Sequence, residues 1–226
     1  MIINKSDVLD QFDDYREIIS KATNLHLSLK KESKTFLRVY VLWSLSKRPE
    51  LEKWLHNNYY VVSLSFLLEA FTCLMLNQTS GAQLLLRSSV ENFIKFCLST
   101  ENLTIDNTRF KQNLKSLRTV YDDEKILQHI SKLETIYHDL SKLSHSTSSS
   151  EISIVNYIGQ TLNVTELEFK NTITYIRKII DIYLLFIFTI CRESLKKWDS
   201  SDLRNTLKIG FKDNKVKSIL QQLSFW

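Results

Sequence analysis

The chain has 226 residues, of which 43% are hydrophobic and 24% charged, and its formal net charge is +5. Only 3 residues are glycine and 1 is proline, against roughly 16 and about 11 at average usage. Because tight turns and β-hairpins depend on these residue types, the composition argues against a β-sandwich or barrel. We predict an all-α fold: a four-helix-bundle core with additional N-terminal helices and a short helical C-terminal tail.

Two helices are predicted ahead of the core. Ser6 or Asp7 can cap a first helix that runs to about residue 29, and its apolar side chains follow helical spacing. A second helix is predicted over residues 33–46. Pro49 stands where a further short helix would have its first turn, a position that proline favours.

Four later segments with helical apolar spacing form the predicted core. Asn77 to Gly81 is a strong turn signal, so the helices on either side of it are expected to be antiparallel neighbours. Asp122 or Asp123 can cap the third helix, and Thr165 with Glu168 forms a capping box before the fourth. The predicted core helices are 59–76, 82–99, 123–144 and 165–198.

Two polar connections interrupt this core. The first is expected to contain a short helix over 107–120, and the second, over 151–163, is rich enough in β-branched residues for a short extended piece. We predict a single helical domain over the whole chain. Within it we expect an N-terminal extension over 1–58, the bundle core over 59–198 and a basic tail over 199–226.

Several features favour a cytoplasmic protein without a membrane span. The N-terminus shows no apolar signal-peptide region. The two most apolar helices contain charged residues and are interpreted as core helices. The cysteines lie in apolar helical stretches, as is typical of a reducing compartment: Cys73, Cys97 and Cys191. No two histidines, with acidic residues near them, have the spacing that a metal site needs. We therefore expect no metal and no cofactor.

One predicted core helix carries two charged residues among apolar ones. It reads LLLRSSVENFIKFCL over 84–98. Arg87 and Glu91 are four residues apart and can pair. They share an arc of about 80° with three apolar residues: Leu84, Ile94 and Leu98. A charge pair in an apolar stripe is costly unless other polar groups surround it, so a second helix is expected to supply them.

The end of the third core helix is the best source of such groups. Ser141 and His145 lie at the edge of its core stripe, and a positive imidazolium is favoured at a helix C-terminus. We therefore predict that both converge with Arg87 and Glu91. The core stripe itself is predicted to contain Ile126, Ile130, Leu133, Tyr137 and Leu140.

Two interpretations of this cluster stay open. In the structural one, the charges fix the register of the helices and His145 caps a helix. In the catalytic one, Arg87 stabilises charge on a phosphodiester while His145 acts as acid or base. Tyr137 and Ser141 would then orient the substrate.

The residues of the two helices resemble a known family. The segment LLLRSSVENFIKF (84–96) followed by YHDLSKLSHS (137–146) is similar to HEPN-like proteins of bacterial toxin–antitoxin, abortive-infection and phage-defence systems. The resemblance covers roughly residues 59–195, and the usual motif of that family, an arginine followed after four to six residues by a histidine, is absent. The matching positions are Arg87, Ser88, Glu91, Tyr137, Leu140, Ser141 and His145.

This resemblance implies a bundle of four or five helices, frequent homodimers and metal-independent RNA cleavage. It suggests catalytic roles for Arg87, Glu91 and His145. The substrate-binding residues would be Ser88, Tyr137 and Ser141. The expected partners are RNA and either a second copy of the chain or another protein.

The leading prediction is therefore an HEPN-like defence or toxin–antitoxin protein that binds RNA, and the sequence leaves open whether it is an endoribonuclease. The alternative is a non-catalytic helical interaction module that assembles with a partner protein of a defence complex, helped by Phe225, Trp226 and the basic tail. A third is a nucleic-acid-binding accessory subunit. It would use residues 27–56, with seven basic and three acidic side chains, and residues 192–217 of the basic C-terminal part.

Overall fold

A computed structural model describes residues 4–23, 30–145 and 166–224. Every regular element within these ranges is a helix, which confirms the all-α fold class. The extended piece expected within 151–163 lies outside the described residues. The chain divides into two compact units: unit 1 comprises Met1–His56 with Tyr183–Trp226, and unit 2 comprises Asn57–Ile182.

Unit 2 holds three of the four predicted core helices and the first part of the fourth. Its elements are α4 (Asn58–Met75), α5 (Thr79–Thr100), α6 (Phe110–Arg118), α7 (Glu124–His145) and the first part of α8 (Glu166–Ile190). The helix predicted over 165–198 was therefore too long, because α8 ends at Ile190 and a separate short helix follows. The Thr165 half of the predicted capping box lies outside the described residues.

Local signals set the ends of these helices. After α4, Asn77 takes a left-handed backbone conformation with φ 61°, which asparagine tolerates. The backbone N–H of Gln78 then donates to the Cys73 carbonyl over 2.8 Å, closing a Schellman-type cap. At the start of α7, the Asp123 carboxylate accepts the backbone N–H of Ile126 over 3.0 Å. The turn and the aspartate cap were both predictable from sequence.

Small polar side chains hold α4 and α5 close together. Ser63 Oγ donates to the Ser89 carbonyl over 2.9 Å, and Ser89 Oγ donates to the Ser63 carbonyl over 2.8 Å. Both serines are fully buried. A third buried polar contact joins α5 to α8, where Gln83 Nε2 donates to Thr172 Oγ1 over 3.1 Å. The core of unit 2 is thus closed by neutral polar pairs as well as apolar contacts.

Helix α4 is also long and apolar enough to cross a membrane. It is the only helix of that kind among the described residues, judged by length and composition. Eight of its side chains are buried inside the protein, among them Tyr60, Leu67 and Leu74. The core helix of a protein can have the same length and composition. The sequence predicts a core helix here, and α4 packs on α5.

Unit 1 is built from both ends of the chain. Its N-terminal elements are α1 (Lys5–Thr23), α2 (Lys30–Ser46), a 3₁₀ turn (Pro49–Leu51) and α3 (Glu52–Leu55). Its C-terminal elements are the end of α8, α9 (Arg192–Leu195), α10 (Ser200–Gly210) and α11 (Asp213–Ser224). Pro49 begins the 3₁₀ turn as the sequence predicted.

The cap of α1 differs from the prediction. Asn4, one position ahead of the helix, supplies it: its Oδ1 accepts the backbone N–H of Asp7 over 3.1 Å, and Asp7 Oδ2 accepts the backbone N–H of Asn4 over 3.0 Å. This is the reciprocal pattern of a capping box. The prediction that Ser6 or Asp7 is the cap residue was wrong, since the helix already begins at Lys5.

Helices α2 and α10 of unit 1 approach each other closely at Gly210. A Cβ atom at this position would lie 3.0 Å from the Leu37 carbonyl oxygen and 3.0 Å from Val41 Cγ2. Real Cβ atoms rarely come so near to backbone. Glycine is therefore the residue that lets this pair of helices pack at the observed distance.

Candidate functional site

Helices α5 and α7 bring three of the predicted site residues together. Arg87 Nε lies 3.5 Å from Glu91 Oε1. The hydroxyl of Tyr137 donates to the same Oε1 atom over 2.6 Å. The guanidinium carbon of Arg87 lies 5.0 Å from the centre of the Tyr137 ring. Each of the three side chains thus contacts the other two, and the predicted pairing of Arg87 with Glu91 is confirmed.

The placement of these charges in an apolar stripe is confirmed in part, since Ile94 and Leu98 are fully buried and Leu84 is not. The side chains of Arg87 and Glu91 are 27% and 33% exposed, and Leu84 is 51% exposed. A second fully buried face of α5 is formed by Leu86, Val90, Phe93 and Cys97. At 100° per residue this face lies about 90–130° from the two charges. Arg87 and Glu91 therefore sit at the border of the core, where water still reaches them.

A fourth residue, Phe110 at the start of α6, belongs to the same group. Its ring stacks on that of Tyr137, with centres 3.7 Å apart and planes 20° apart. We call Arg87, Glu91, Tyr137 and Phe110 the Arg87 cluster. Phe110 was not predicted as part of the site, because nothing in the polar connection between α5 and α7 indicates which helix it packs against. The only available signal was an aromatic residue within a predicted short helix.

The other predicted site residues differ in how they relate to the cluster. Ser141 lies one turn beyond Tyr137 and donates its hydroxyl to the Tyr137 carbonyl over 2.8 Å. Ser88 is half-buried, and its carbonyl accepts from Asn92 Nδ2; no contact described here joins it to the cluster. His145 is the last residue of α7, and its side chain lies outside the described part. Its convergence with Arg87 stays a prediction.

A histidine that is described in full, His138, lies beside the cluster. The ring of His138 meets that of Tyr137 edge-on, with centres 5.9 Å apart. His138 Nε2 lies 3.9 Å from Glu134 Oε1, and Arg118 Nη2 donates to Glu134 Oε2 over 2.7 Å. His138 was not among the predicted site residues. The spacing of Glu134 and His138, four residues apart on one helix, was the signal for this pair.

The protonation of Tyr137 follows from its surroundings. Burial raises the pKa of its hydroxyl above the ordinary value, and the hydrogen bond and negative charge of Glu91 raise it further. Arg87 acts in the opposite direction with a smaller effect. Tyr137 is therefore neutral at physiological pH and acts as a hydrogen-bond donor. In this arrangement it holds Glu91 in place and does not serve as a base.

The stripe predicted for α7 is confirmed. Ile130, Leu133 and Leu140 are fully buried, and Ile126 and Tyr137 are nearly so. Tyr137 thus has its ring in the core and its hydroxyl at the border. This explains how one residue can anchor the helix and still reach the charges of α5.

Among the described side chains, no group of three histidines, cysteines or acidic residues is arranged to hold a metal ion. The chemistry open to the cluster is that of a cation, a carboxylate and a phenolic donor. The chain matches no model of a known protein family, no curated protein sequence and no solved structure.

Proposed function

We propose that the chain is an HEPN-like protein of a bacterial defence or toxin–antitoxin system that binds RNA at the Arg87 cluster, with His145 as the acid or base for cleavage. The observation that supports it best is the state of Arg87. Its side chain is partly exposed, and its guanidinium lies beside a stacked pair of aromatic rings. That combination suits a nucleic-acid backbone and its bases.

Arg87 keeps hydrogen-bonding capacity for a phosphate. A guanidinium has five N–H donors. Its closest carboxylate atom is Glu91 Oε1, at 3.5 Å from Nε, and that oxygen also accepts the Tyr137 hydroxyl. Glu91 therefore orients the arginine without saturating it. A phosphate could take up the remaining donors in the bidentate geometry that arginine favours.

The proposed chemistry divides between Arg87 and His145. Arg87 would stabilise negative charge that develops on the phosphoryl group. His145 would transfer a proton, a role suited to an imidazole near neutral pH. Tyr137, being neutral, would donate a hydrogen bond or hold Glu91, and Ser141 would help to orient the substrate. For Ser88, a role in substrate binding rests on the family resemblance alone.

The test is cleavage of labelled RNA by the full chain and by the single variants Arg87→Ala and His145→Ala. Loss of a charge-stabilising group or of the acid–base catalyst is expected to slow cleavage at least about 100-fold. Arg109→Ala is the matched control, because Arg109 is a 78% exposed arginine of the same unit. It is expected to cleave at the original rate.

Two outcomes would contradict the proposal in different ways. Equal cleavage by all variants would remove Arg87 and His145 from the site. No cleavage by the unaltered chain, together with RNA binding that Arg87→Ala weakens and Arg109→Ala does not, would remove catalysis and keep the binding site.

The second candidate is a non-catalytic module that assembles with another protein or with itself. Exposed apolar side chains of unit 2 favour it, since Val61, Leu84 and Leu167 are 50%, 51% and 67% exposed. Their burial in an interface would be favourable. Sedimentation of Leu84→Lys tests it: the variant is expected to dissociate a complex that the unaltered chain forms, and an unchanged mass would exclude Leu84 from the interface.

A further inference from the structure

Unit 1 contains a pocket of about 460 Å³ formed by the segment 195–200, α10 and α11. This volume is within the range of pockets that hold small ligands. All of its lining residues belong to unit 1, and none belongs to the Arg87 cluster. The pocket is therefore independent of the function proposed above.

The inner wall of the pocket is apolar. Leu195, Trp198 and Leu203 line it and are 2%, 4% and 3% exposed, and Leu220 is half-buried. The guanidinium carbon of Arg48 lies 4.1 Å from the centre of the Trp198 ring, which helps to fix the indole in position. A ligand with a ring or a short chain would find a rigid apolar surface here.

The remaining wall carries positive charge. Lys196, Arg204 and Lys217 line the pocket, and no acidic residue is among the residues that line it. Lys196 pairs with Glu193 over 2.8 Å. Arg204 and Lys217 are exposed, and neither forms an ion pair with a described side chain. Two cations are thus left for an anionic group, which they would attract from one side of an apolar pocket.

We propose that this pocket binds a small amphipathic anion: a molecule with an apolar ring or short chain and a carboxylate, sulfonate or phosphate group. The apolar part lies against Trp198 and the leucines. The anionic group lies between Arg204 and Lys217. Charge complementarity selects the anion, and the apolar wall distinguishes this ligand from a free inorganic ion.

Calorimetric titration of the full chain with 2-naphthalenesulfonate tests the proposal, with the neutral 2-naphthylmethanol as its comparison. The anion is expected to bind at least about ten-fold more tightly than the alcohol. Arg204→Gln and Lys217→Gln should each weaken the anion about ten-fold, since each removes a charge-assisted contact. Both residues are exposed, so both variants are expected to fold. Lys212→Gln, an exposed lysine of the same unit that does not line the pocket, should bind as the unaltered chain does.

Three results would overturn the proposal. Equal binding of the anion and the alcohol would leave an apolar pocket without charge selection. Equal weakening by Lys212→Gln would show an unspecific effect of net charge. Displacement of the probe by a short oligouridylate but not by excess 2-naphthoate would make the cations part of a nucleic-acid surface. None of these results bears on cleavage at the Arg87 cluster, which the pocket variants are expected to leave unchanged.

Discussion

Helix α5 carries two kinds of polar contact on neighbouring faces. Toward α4 and α8 it uses Ser89 and Gln83, neutral side chains that are buried and hydrogen-bonded. Toward α7 it uses Arg87 and Glu91, which keep about a third of their surface in water. The difference follows from solvation: a neutral hydroxyl or amide can be buried at the cost of one partner, whereas a buried ion costs several kcal/mol.

The comparison separates groups that hold the fold from groups that can meet a ligand. The serine pair is inaccessible and its loss should affect stability only. The Arg87 cluster is partly solvated, so its loss should affect stability weakly and ligand binding strongly. The four predictions below test this difference, from the buried contacts, where the largest effect is expected, to the exposed ones.

The largest effect is expected for Ser89→Val. The change removes the hydrogen bond that Ser89 Oγ donates to the Ser63 carbonyl, at a fully buried position, and adds a methyl group where two helices already touch. The free energy of unfolding should fall by about 3 kcal/mol, as measured by urea denaturation. Ser88→Val, at the half-buried neighbouring position, should change it by less than about 0.5 kcal/mol. An equal loss in both variants would abolish the distinction between the two faces.

A smaller loss is expected for Tyr137→Phe. The ring keeps its stacking on Phe110, and only the 2.6 Å hydrogen bond to Glu91 is lost. Because Glu91 is partly exposed, water can replace the hydroxyl, and the cost should be about 1 kcal/mol. Tyr175→Phe removes a longer bond of 3.2 Å to Asp139 and should cost less. The reverse order in urea denaturation would show that the cluster contributes nothing beyond packing.

Arg118→Gln should have a still smaller effect. The pair that Arg118 forms with Glu134 has about a third of each side chain exposed. Ion pairs of this kind contribute about 0.5 kcal/mol. The effect should shrink further as salt is added. If the loss of unfolding free energy persists at high salt, the ion pair of Arg118 and Glu134 is not screened by solvent, which would contradict the exposure of the two side chains.

The contribution of Tyr137 to the free energy of unfolding should not change with pH near neutrality. Burial, with Glu91 adding to it, raises the pKa of Tyr137 above its ordinary 10.0. The folded chain thus holds this proton more tightly than the unfolded chain. The resulting stabilisation is fully present below about pH 10 and is lost as the pH rises through the raised pKa.

Ultraviolet titration of phenolate formation measures this effect. Tyr137→Phe should lack one late-titrating step, and Glu91→Gln should move that step to lower pH because the negative charge is gone. Arg87→Gln should move it to higher pH. An unchanged titration in all three variants would contradict the contacts described between these side chains.

The sequence predicted well those features that depend on local chemistry. The turn at Asn77, the cap at Asp123 and the core stripe of α7 all follow from neighbouring residues along the chain. The pairing of Arg87 with Glu91 followed from their spacing on one helix. A second helix was expected to supply polar partners from Ser141 and His145, and the partner that the structure shows on that helix is Tyr137.

The features that failed depend on which helix covers which face. Helical phase placed Leu84 with the charges, but it could not show that the core is centred on Val90, so Leu84 was expected in the core and is half exposed. Phe110 was missed for the same reason, since nothing in its own segment identifies Tyr137 as its neighbour. The end of α8 at Ile190 was not signalled by glycine or proline.

The close approach at Gly210 has a consequence for the order in which the protein can be made. Its contact partner Leu37 is synthesised before all of unit 2, and Gly210 only after it. At typical translation speeds the residues between 57 and 182 take roughly ten seconds to emerge. During that interval unit 2, which is continuous in sequence, can fold on the ribosome. Until α10 is synthesised, the apolar surface of α2 that it covers stays exposed. Nascent chains are therefore expected to need chaperone protection at this surface.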